Sequence, residues 1–343
     1  MSASKTPDDR TGVLTVGVMI CTYQRPESLG RCLDGLSAQT RAPDDVIAVH
    51  RQTDEATRRF IEVRGDDGLP LRAVIVLAPG LVAARNAGLQ AGRTDVLAII
   101  DDDVVPHPEW LERVARHFAD PAVGGVGGRD HVHDGNAFDE RLARRVGIVQ
   151  WFGRVVANHH LGYGPPRAVA LLKGANMSYR ATAIAGLAFD RRLLGKSTQP
   201  HDDLAFSLAV GRRGWKMIYD PAALVYHYAG RPENRAYSSV GRVPAEEARS
   251  SAFNLVVAMW DNLSVPQRIA FALYSVLVGT STDPGMVQAL RYTPRFGLAA
   301  WKRFWLTQQG KATAWLALTR GRARAFTPVD APGRAVSPSP RAE

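Results

Sequence analysis

The sequence predicts an α/β fold in which a doubly wound parallel sheet is followed by a helical region. Short apolar strands alternate with amphipathic helices over roughly the first hundred residues, a pattern typical of such a sheet. Polar residues come directly after these strands, and open α/β sheets bind their ligands at that edge. The strand pattern stops near residue 231, where basic helical segments begin.

The first part of the chain is expected to run strand, helix, strand, helix, strand, helix, strand. These elements are Val16–Cys21, a helix from Pro26, Asp45–Val49, a helix ending at Val63, Leu71–Leu77, Leu81–Gly92 and Val96–Ile100. Because no Gly-x-Gly-x-x-Gly follows the first strand, a phosphate loop of the dinucleotide-binding kind is not supported.

The middle of the chain is less regular. A helix is expected to start at Pro108, and residues 129 to 170 are predicted to form a mobile connection that could act as a lid. Small residues in Lys173–Ser178 would let the backbone approach a ligand closely, and a short helix should follow. The last predicted elements are a helix within Gln199–Gly214 and the strands Trp215–Tyr219 and Ala222–Tyr228.

Composition predicts a globular protein with an unevenly distributed charge. The 343 residues carry a net charge of +10, but residues 1 to 230 contain 28 Lys/Arg against 26 Asp/Glu, and the remainder 15 against 7. Two cysteines, Cys21 and Cys32, do not suggest a disulfide framework and favour a reducing compartment. Since Met1–Thr15 has no apolar signal core, a cytoplasmic location is expected.

The basic C-terminal part contains three apolar blocks, at Phe253–Trp260, Ile269–Val278 and Leu298–Leu306. None reaches the roughly 18 to 20 apolar residues that span a bilayer. Tryptophans among lysines and arginines are typical of helices lying on an anionic membrane surface, although helices packed on the first domain would show the same pattern. A nucleic-acid partner is the less favoured reading of this charge.

Asp101, Asp102 and Asp103 directly follow a buried strand, and three interpretations of them remain open. They could form a solvated acidic turn. A calcium loop of the EF-hand type is disfavoured, because Pro106 stands where that loop requires glycine. The third interpretation is a site for Mg²⁺ or Mn²⁺ and a diphosphate, since a cation would relieve the repulsion among the carboxylates.

Two further groups are candidates for chemistry. Asp202 and Asp203 begin a predicted helix, where they could simply cap it or could supply a general base. His227 lies between two tyrosines, and such a histidine is either a packed structural residue or a metal ligand.

Five ordered motifs resemble the inverting family-2 glycosyltransferases of GT-A fold, over roughly residues 13 to 230. They are Val18-Met-Ile-Cys-Thr-Tyr-Gln-Arg-Pro26, Ala84-Arg-Asn-Ala-Gly88, Asp101-Asp-Asp103, Gly174-Ala-Asn-Met-Ser-Tyr-Arg180, and Asp202-Asp203 with His227. The resemblance implies a Rossmann-like mixed sheet flanked by helices, with a C-terminal helical appendage. The expected divisions are a disordered 1–12, a GT-A domain at 13–230, a basic helical region at 231–326 and a disordered tail at 327–343.

The resemblance also implies a nucleotide-sugar donor and a divalent metal, Mg²⁺ or Mn²⁺. Asp103, Asp101 and His227 match the family's metal site. The residues implied for donor binding are Thr22, Tyr23, Arg25, Arg85, Asn86, Asp101, Asp102, Gly174, Ala175 and Asn176. The Asp202-Asp203 pair falls where relatives hold the catalytic base, and Asp203 is the first candidate.

Two departures from the family pattern affect specificity. His50-Arg51 replaces an acidic residue that commonly pairs with the nucleobase. The identity of the nucleobase is therefore left open, although uridine is the commonest nucleoside in the family. The Gln-x-x-Arg-Trp element of polymerising relatives is absent, so transfer of one sugar to a glycan, lipid-linked or small-molecule acceptor is expected. The alternatives are a sugar nucleotidyltransferase and a non-catalytic module that binds membrane or nucleic acid.

Overall fold

The computed structural model describes residues 14–65, 68–228 and 244–321. The predicted disordered ends, 1–12 and 327–343, lie outside these ranges. The described strands are β1 (Val16–Cys21), β2 (Asp45–Arg51), β3 (Leu71–Val76), β4 (Val96–Asp101), β5 (Val104–Pro106), β6 (Val123–Val132), β7 (Ile148–Val149), β8 (Val155–Val156), β9 (Arg167–Ala168), β10 (Asn176–Arg180) and β11 (Lys216–His227).

Most of these strands form one sheet of mixed direction. Its order is β3-β2-β1-β4-β10-β6-β11-β5, with β9 paired to β11, while β7 and β8 form a separate hairpin. The strands β1 to β4 are parallel, as predicted, but β10 runs antiparallel to both of its neighbours, β4 and β6. The sheet is therefore not the purely parallel one that the first hundred residues suggest.

The described helices are α1 (Pro26–Ser37), α2 (Glu55–Arg64), α3 (Leu81–Ala91), α4 (Trp110–His117), α5 (Ala181–Ile184), α6 (Asp202–Arg212), α7 (Ala245–Trp260), α8 (Val265–Leu277), α9 (Met286–Phe296) and α10 (Leu298–Thr319). Successive strand residues face opposite sides of the sheet. Val18 and Ile20 of β1 pack with α1 and α4, whereas Met19 packs with α3 and α6. Helices thus cover both faces of the sheet, and the ends of its strands are the places where a site can form.

Several predicted elements differ from the structure. The helix predicted from Pro108 begins at Trp110, because residues 108 and 109 form a turn. The predicted connection from residue 129 contains strand residues up to Val132. The short helix expected after Lys173–Ser178 is confirmed as α5, which follows directly after β10. The two predicted strands around Pro221 are one strand, β11, whose register shifts at the proline. A bulge accommodates the missing proline N–H there.

Glycine allows β6 to exist in a sequence that does not look like a strand. A Cβ on Gly128 would lie 1.6 Å from the carbonyl oxygen of Ala223 in β11, so only glycine fits. Because glycines take the place of alternating apolar residues there, a prediction based on that alternation misses the strand.

The C-terminal helices pack on the first part of the chain. Phe253 and Val257 of α7 share a buried cluster with Leu204 of α6 and Leu171. On α8 the side chains of Val265, Ile269 and Leu273 are more than half exposed. No helix in the described part of the chain has the length and apolar character needed to cross a membrane.

Candidate active site

The turn between β4 and β5 carries the three consecutive carboxylates. Asp102 is buried, where it accepts a hydrogen bond from Thr22 Oγ1 at 2.8 Å and one from Arg25 at 3.2 Å. Burial raises the pKa of Asp102 to about 6, and the Arg25 charge and Thr22 hydroxyl only partly offset this. Asp102 therefore ties the turn after β1 to the turn after β4.

Asp101 and Asp103 flank Asp102 and point toward a histidine at the end of β11. Asp101, Asp103 and His227 each offer one ligand atom, and these atoms all lie within 4.8 Å of one another. Two carboxylates and an imidazole suit a divalent cation such as Mn²⁺ or Mg²⁺. Burial alone would raise the pKa of Asp103, but His227 and the Arg25 charge hold it below its usual value.

Behind His227 lies Asp130, a residue that the sequence reasoning missed. His227 Nδ1 is 3.5 Å from Asp130 Oδ2, and His227 Nε2 is 3.3 Å from Asp103 Oδ1. Burial would lower the pKa of His227, but its hydrogen bonds to Asp103 and Asp130 raise it to about 9. A carboxylate behind a ligating histidine fixes the ring orientation. We call Asp101, Asp103, Asp130 and His227 the carboxylate cluster.

Asp130 is fully buried and also pairs with Lys173. It lies on β6, which runs parallel to β11, so the two strands carry Asp130 and His227 to the same edge of the sheet. The only sequence signal for this residue was its position after a glycine-rich stretch.

Arg85 of α3 connects the carboxylate cluster to the start of α6. Its buried guanidinium donates to Asp202 Oδ2 and, at 3.3 Å, to Asp101 Oδ1. It also donates to the carbonyl of Gly174 at 3.4 Å, and a Cβ on Gly174 would lie 2.6 Å from the guanidinium. The predicted close backbone approach at this glycine is thus an approach to Arg85.

Asp202 and Asp203 turn in different directions. Asp202 is buried against Arg85, and burial raises the pKa of Asp202 to about 6 although the Arg85 charge opposes this. Asp203 is half-buried and accepts hydrogen bonds from the backbone N–H groups of Gly174 at 3.0 Å and Leu204 at 2.7 Å. Asp203 also lines a cavity, so its carboxylate can reach a molecule bound there.

Of the predicted donor-binding residues, some lie at the strand ends and others are engaged in the fold. Thr22 and Arg25 contact the carboxylates, and Tyr23 is exposed with the Arg51 guanidinium 5.3 Å from its ring centroid. Asn86 instead forms two hydrogen bonds with the backbone of Phe189.

Ala175 and Asn176 are buried beside Gly174. The amide of Asn176 accepts a hydrogen bond from Trp110 Nε1 at 2.9 Å and donates to the Ala223 carbonyl at 2.8 Å. Both polar ends of this side chain are therefore used within the fold.

Comparisons with known proteins agree on one family. A model of the family described as "Glycosyltransferase like family 2" matches residues 14–240. The chain is 30% identical over 223 residues to a glucosyl-dolichyl phosphate glucuronosyltransferase from Haloferax volcanii, covering 62% of this chain and 69% of the relative. It is 31% identical over 153 residues to a pre-mycofactocin glycosyltransferase from Mycobacterium tuberculosis, covering 43% of this chain but only 30% of the relative's length.

A solved structure has the same fold. It is a mannosyltransferase from Pyrobaculum calidifontis in complex with GDP-Man and Mn²⁺, which matches 93% of this chain and 78% of its own with a TM-score of 0.53. The sequence identity is 17%, so this likeness concerns the fold alone.

Proposed function

The chain belongs to glycosyltransferase family 2 and has a GT-A fold, and on that basis we propose a metal-dependent, inverting transfer of one sugar from a nucleotide-sugar donor to a hydroxyl group. The observation that carries the proposal is the position of Arg85. Its guanidinium donates hydrogen bonds to both Asp101 of the carboxylate cluster and Asp202. Asp203 is the next residue along the chain. A metal-bound diphosphate and a base would therefore be within reach of one bound sugar.

Asp101, Asp103 and His227 are the residues that would hold Mg²⁺ or Mn²⁺. When bound, the metal would stabilise the negative charge that gathers on the departing nucleoside diphosphate. Arg25, already directed at Asp102 and Asp103, would add a positive charge at the same edge. The Mn²⁺ in the Pyrobaculum calidifontis complex supports a divalent metal here.

Asp203 is proposed as the general base. In a single in-line displacement the acceptor oxygen attacks the anomeric carbon, loses its proton to Asp203, and the bond to the diphosphate breaks with inversion. Asp202 is the weaker candidate, because its carboxylate is already paired with the buried Arg85. The backbone N–H groups of Gly174 and Leu204 hold Asp203 in a fixed orientation.

We place UDP-sugars first among donors, following the family resemblance, and keep GDP-sugars as the main competitor. The acidic residue nearest to the end of β2 is Asp54, which accepts hydrogen bonds from Gln24 N and from Thr57. The carboxylate of Asp54 is therefore engaged within the fold, and recognition of the nucleobase would fall to the exposed Tyr23 and the half-buried Arg51.

The test is a screen of UDP-, GDP- and dTDP-sugars with and without MnCl₂, measuring thermal stabilisation and release of the nucleoside diphosphate. A donor present at 100 times its Kd should stabilise the protein by about 2.7 kcal/mol, and only with metal. The anomeric configuration of the product, read by NMR, tests inversion. Stabilisation that is equal without metal, or a retained configuration, would contradict the proposal.

A second part of the proposal concerns α8 and α9. Val265, Ile269 and Leu273 form an exposed apolar stripe along α8, and Met286 and Leu290 of α9 are exposed as well. Residues 262 to 321 carry seven Lys/Arg and one Asp/Glu, and five of these cations remain for the surface because Arg303 and Lys311 are buried. Apolar side chains among cations are the composition of a surface that binds anionic membranes, so we propose peripheral binding to the inner face of the membrane.

Vesicle sedimentation tests this part. The protein should bind vesicles containing phosphatidylglycerol, should bind much less to pure phosphatidylcholine, and should be released by salt, because surface charges are screened. The variant Ile269→Glu with Leu273→Glu should lose binding, and equal binding by this variant would contradict a role for α8.

A further inference from the structure

A cavity of about 460 Å³ lies between Asp203 and the C-terminal helices. One wall comes from the family-matched part of the chain, including Asp203, Leu171 and Lys173. The opposite wall comes from residues outside the family match, on α7, α8 and α10 and in the loop before α9. These residues are Ser251, Leu255, Phe271, Tyr274, Ser275, Gly279, Thr280, Thr282, Asp283 and Arg303.

The β7–β8 hairpin rests on α8 at the edge of this cavity. The rings of Phe152 and Tyr274 are 4.9 Å apart in an edge-to-face arrangement. Gly153 has a φ of +82° and lies so close to Phe271 that a Cβ would be 2.5 Å from the ring. Two aromatic side chains of α8 are thereby held in place as one side of the cavity.

Three polar groups of the cavity come from the residue before α6, from α7 and from the loop before α9. His201 has a left-handed backbone conformation, with φ of +71°, and its Nε2 is 3.2 Å from Ser251 Oγ. Asp283 Oδ2 is 2.9 Å from the buried Lys311 Nζ. Asp283 Oδ1 is buried without a hydrogen-bond partner in the part of the chain that the structure describes.

Several charges around the cavity are paired, whereas Arg154, which also lines it, is exposed. Lys173 pairs with Asp130, and Arg303 donates to the carbonyl of Thr282. Burial lowers the pKa of His201, which keeps its imidazole neutral near pH 7. Because most of its lining surface is apolar and polar side chains stand among it, the cavity suits an uncharged ligand that has both apolar faces and hydroxyls.

We propose that this cavity binds the acceptor, and that the acceptor is a neutral glycoside whose sugar ring lies against Tyr274. One hydroxyl of the ring faces Asp203, which takes its proton. This assignment rests on the proposed transferase function. It makes the helices outside the family match the part of the protein that selects the acceptor.

The test compares two Leu→Trp variants. Leu255 lines the cavity and is half-buried, whereas Leu316 of α10 is exposed and does not line it. The probes are p-nitrophenyl β-D-glucoside and β-D-galactoside, with α-D-glucose 1-phosphate as the charged alternative. Two rates are measured, the metal-dependent hydrolysis of the donor by water and the transfer to each probe, detected by mass spectrometry.

L255W should lower the ratio of transfer to donor hydrolysis at least about tenfold, which corresponds to about 1.4 kcal/mol of lost acceptor binding. L316W should alter neither rate. Equal loss of hydrolysis and transfer in L255W, or unchanged transfer, would overturn the assignment. Preference for glucose 1-phosphate over both glycosides would overturn the proposal that the acceptor is uncharged.

A second variant gives a readout that does not need turnover. The thiol of Ser251→Cys should react with N-ethylmaleimide and should be protected by p-nitrophenyl β-D-glucoside. The native thiols are poor competitors, because Cys32 is buried and burial raises the pKa of Cys21 to about 12. No transfer and no protection by either glycoside would overturn the assignment, whereas absence of donor hydrolysis in the wild type would instead overturn the proposed function.

Discussion

Asp203 lies between the carboxylate cluster and the cavity, and the pKa of a buried histidine is shifted in opposite directions in these two regions. In the carboxylate cluster, His227 lies between Asp103 and Asp130, and these partners raise its pKa to about 9. In the cavity, burial lowers the pKa of His201 and His159. One side is thus arranged for charge and the other for neutrality, as expected if a diphosphate binds on one and an uncharged molecule on the other.

A substitution at Asp203, which lies between the two sides, tests both of them at once. Asp203→Asn should lower transfer by about 10² to 10⁴, the usual contribution of a general base, and should retain metal-dependent stabilisation by the donor. Rates and thermal shifts measure both effects. In Asp202→Asn, turnover should fall less, and a larger loss there with intact folding would reassign the base.

Removing the buried cation of the cavity side should cost stability. Lys311 Nζ contacts Asp283 and the Ser275 carbonyl, and it is buried. Lys311→Met leaves Asp283 with an unpaired buried charge, which should lower the free energy of unfolding by about 3 to 5 kcal/mol. Urea denaturation measures the loss. Lys302→Met, on an exposed part of α10, should change little, and equal losses would contradict this account.

On the cluster side, Asp130 is expected to act through His227. Asp130→Asn should weaken Mn²⁺ binding about 10- to 100-fold, because the carboxylate orients a ligating ring. A Mn²⁺ titration of donor-dependent thermal stabilisation measures this. The matched control is Asp139→Asn, since Asp139 pairs with the exposed Arg141 instead. Equal weakening in both variants would argue against a specific role for Asp130.

The smallest expected effect is a difference in pH dependence in the metal-free protein. The pKa of His227 is raised in the fold, so its stabilisation is complete below about pH 6.5 and is lost as pH rises through about 9. The pKa of His159 is lowered, so its neutral form favours the fold above about 6.5, and stability falls as pH drops below that value. Each slope is at most about 1.4 kcal/mol per pH unit.

Urea unfolding in EDTA between pH 5.5 and 9 should separate the two slopes. His227→Gln should flatten the alkaline slope alone, and His159→Gln should reduce the acidic slope, to which His201 also contributes. If one substitution flattened both, the two sides would not titrate independently.

The same contrast explains which parts could be predicted from the sequence. The strands β1 and β4 were predicted because apolar runs end directly in Thr22 and in Asp101 to Asp103, which marks both strand and site. Strand β6 was missed because its glycines allow backbone contact rather than side-chain packing. Asp130 was missed with it. The strand β11 was divided in two because its bulge carries a proline.

The cavity could not have been predicted in this way. Its wall combines residues of α6, α7 and α8 with a loop near residue 283, and no short spacing joins them. Charged residues at strand ends form a local sequence motif, whereas a pocket between packed helices depends on how distant segments pack together. For this reason the motifs indicated the donor and the metal but not the acceptor.

Helix α8 has two functional faces under these proposals, since Phe271 and Tyr274 line the cavity while Ile269 and Leu273 face outward. An enzyme adsorbed through the outer face would meet lipid-borne acceptors by lateral diffusion in two dimensions. Its initial rate would then follow the mole fraction of acceptor in the vesicle surface rather than the bulk concentration. Diluting that surface with inert carrier lipid would slow the enzyme even when every molecule remained adsorbed.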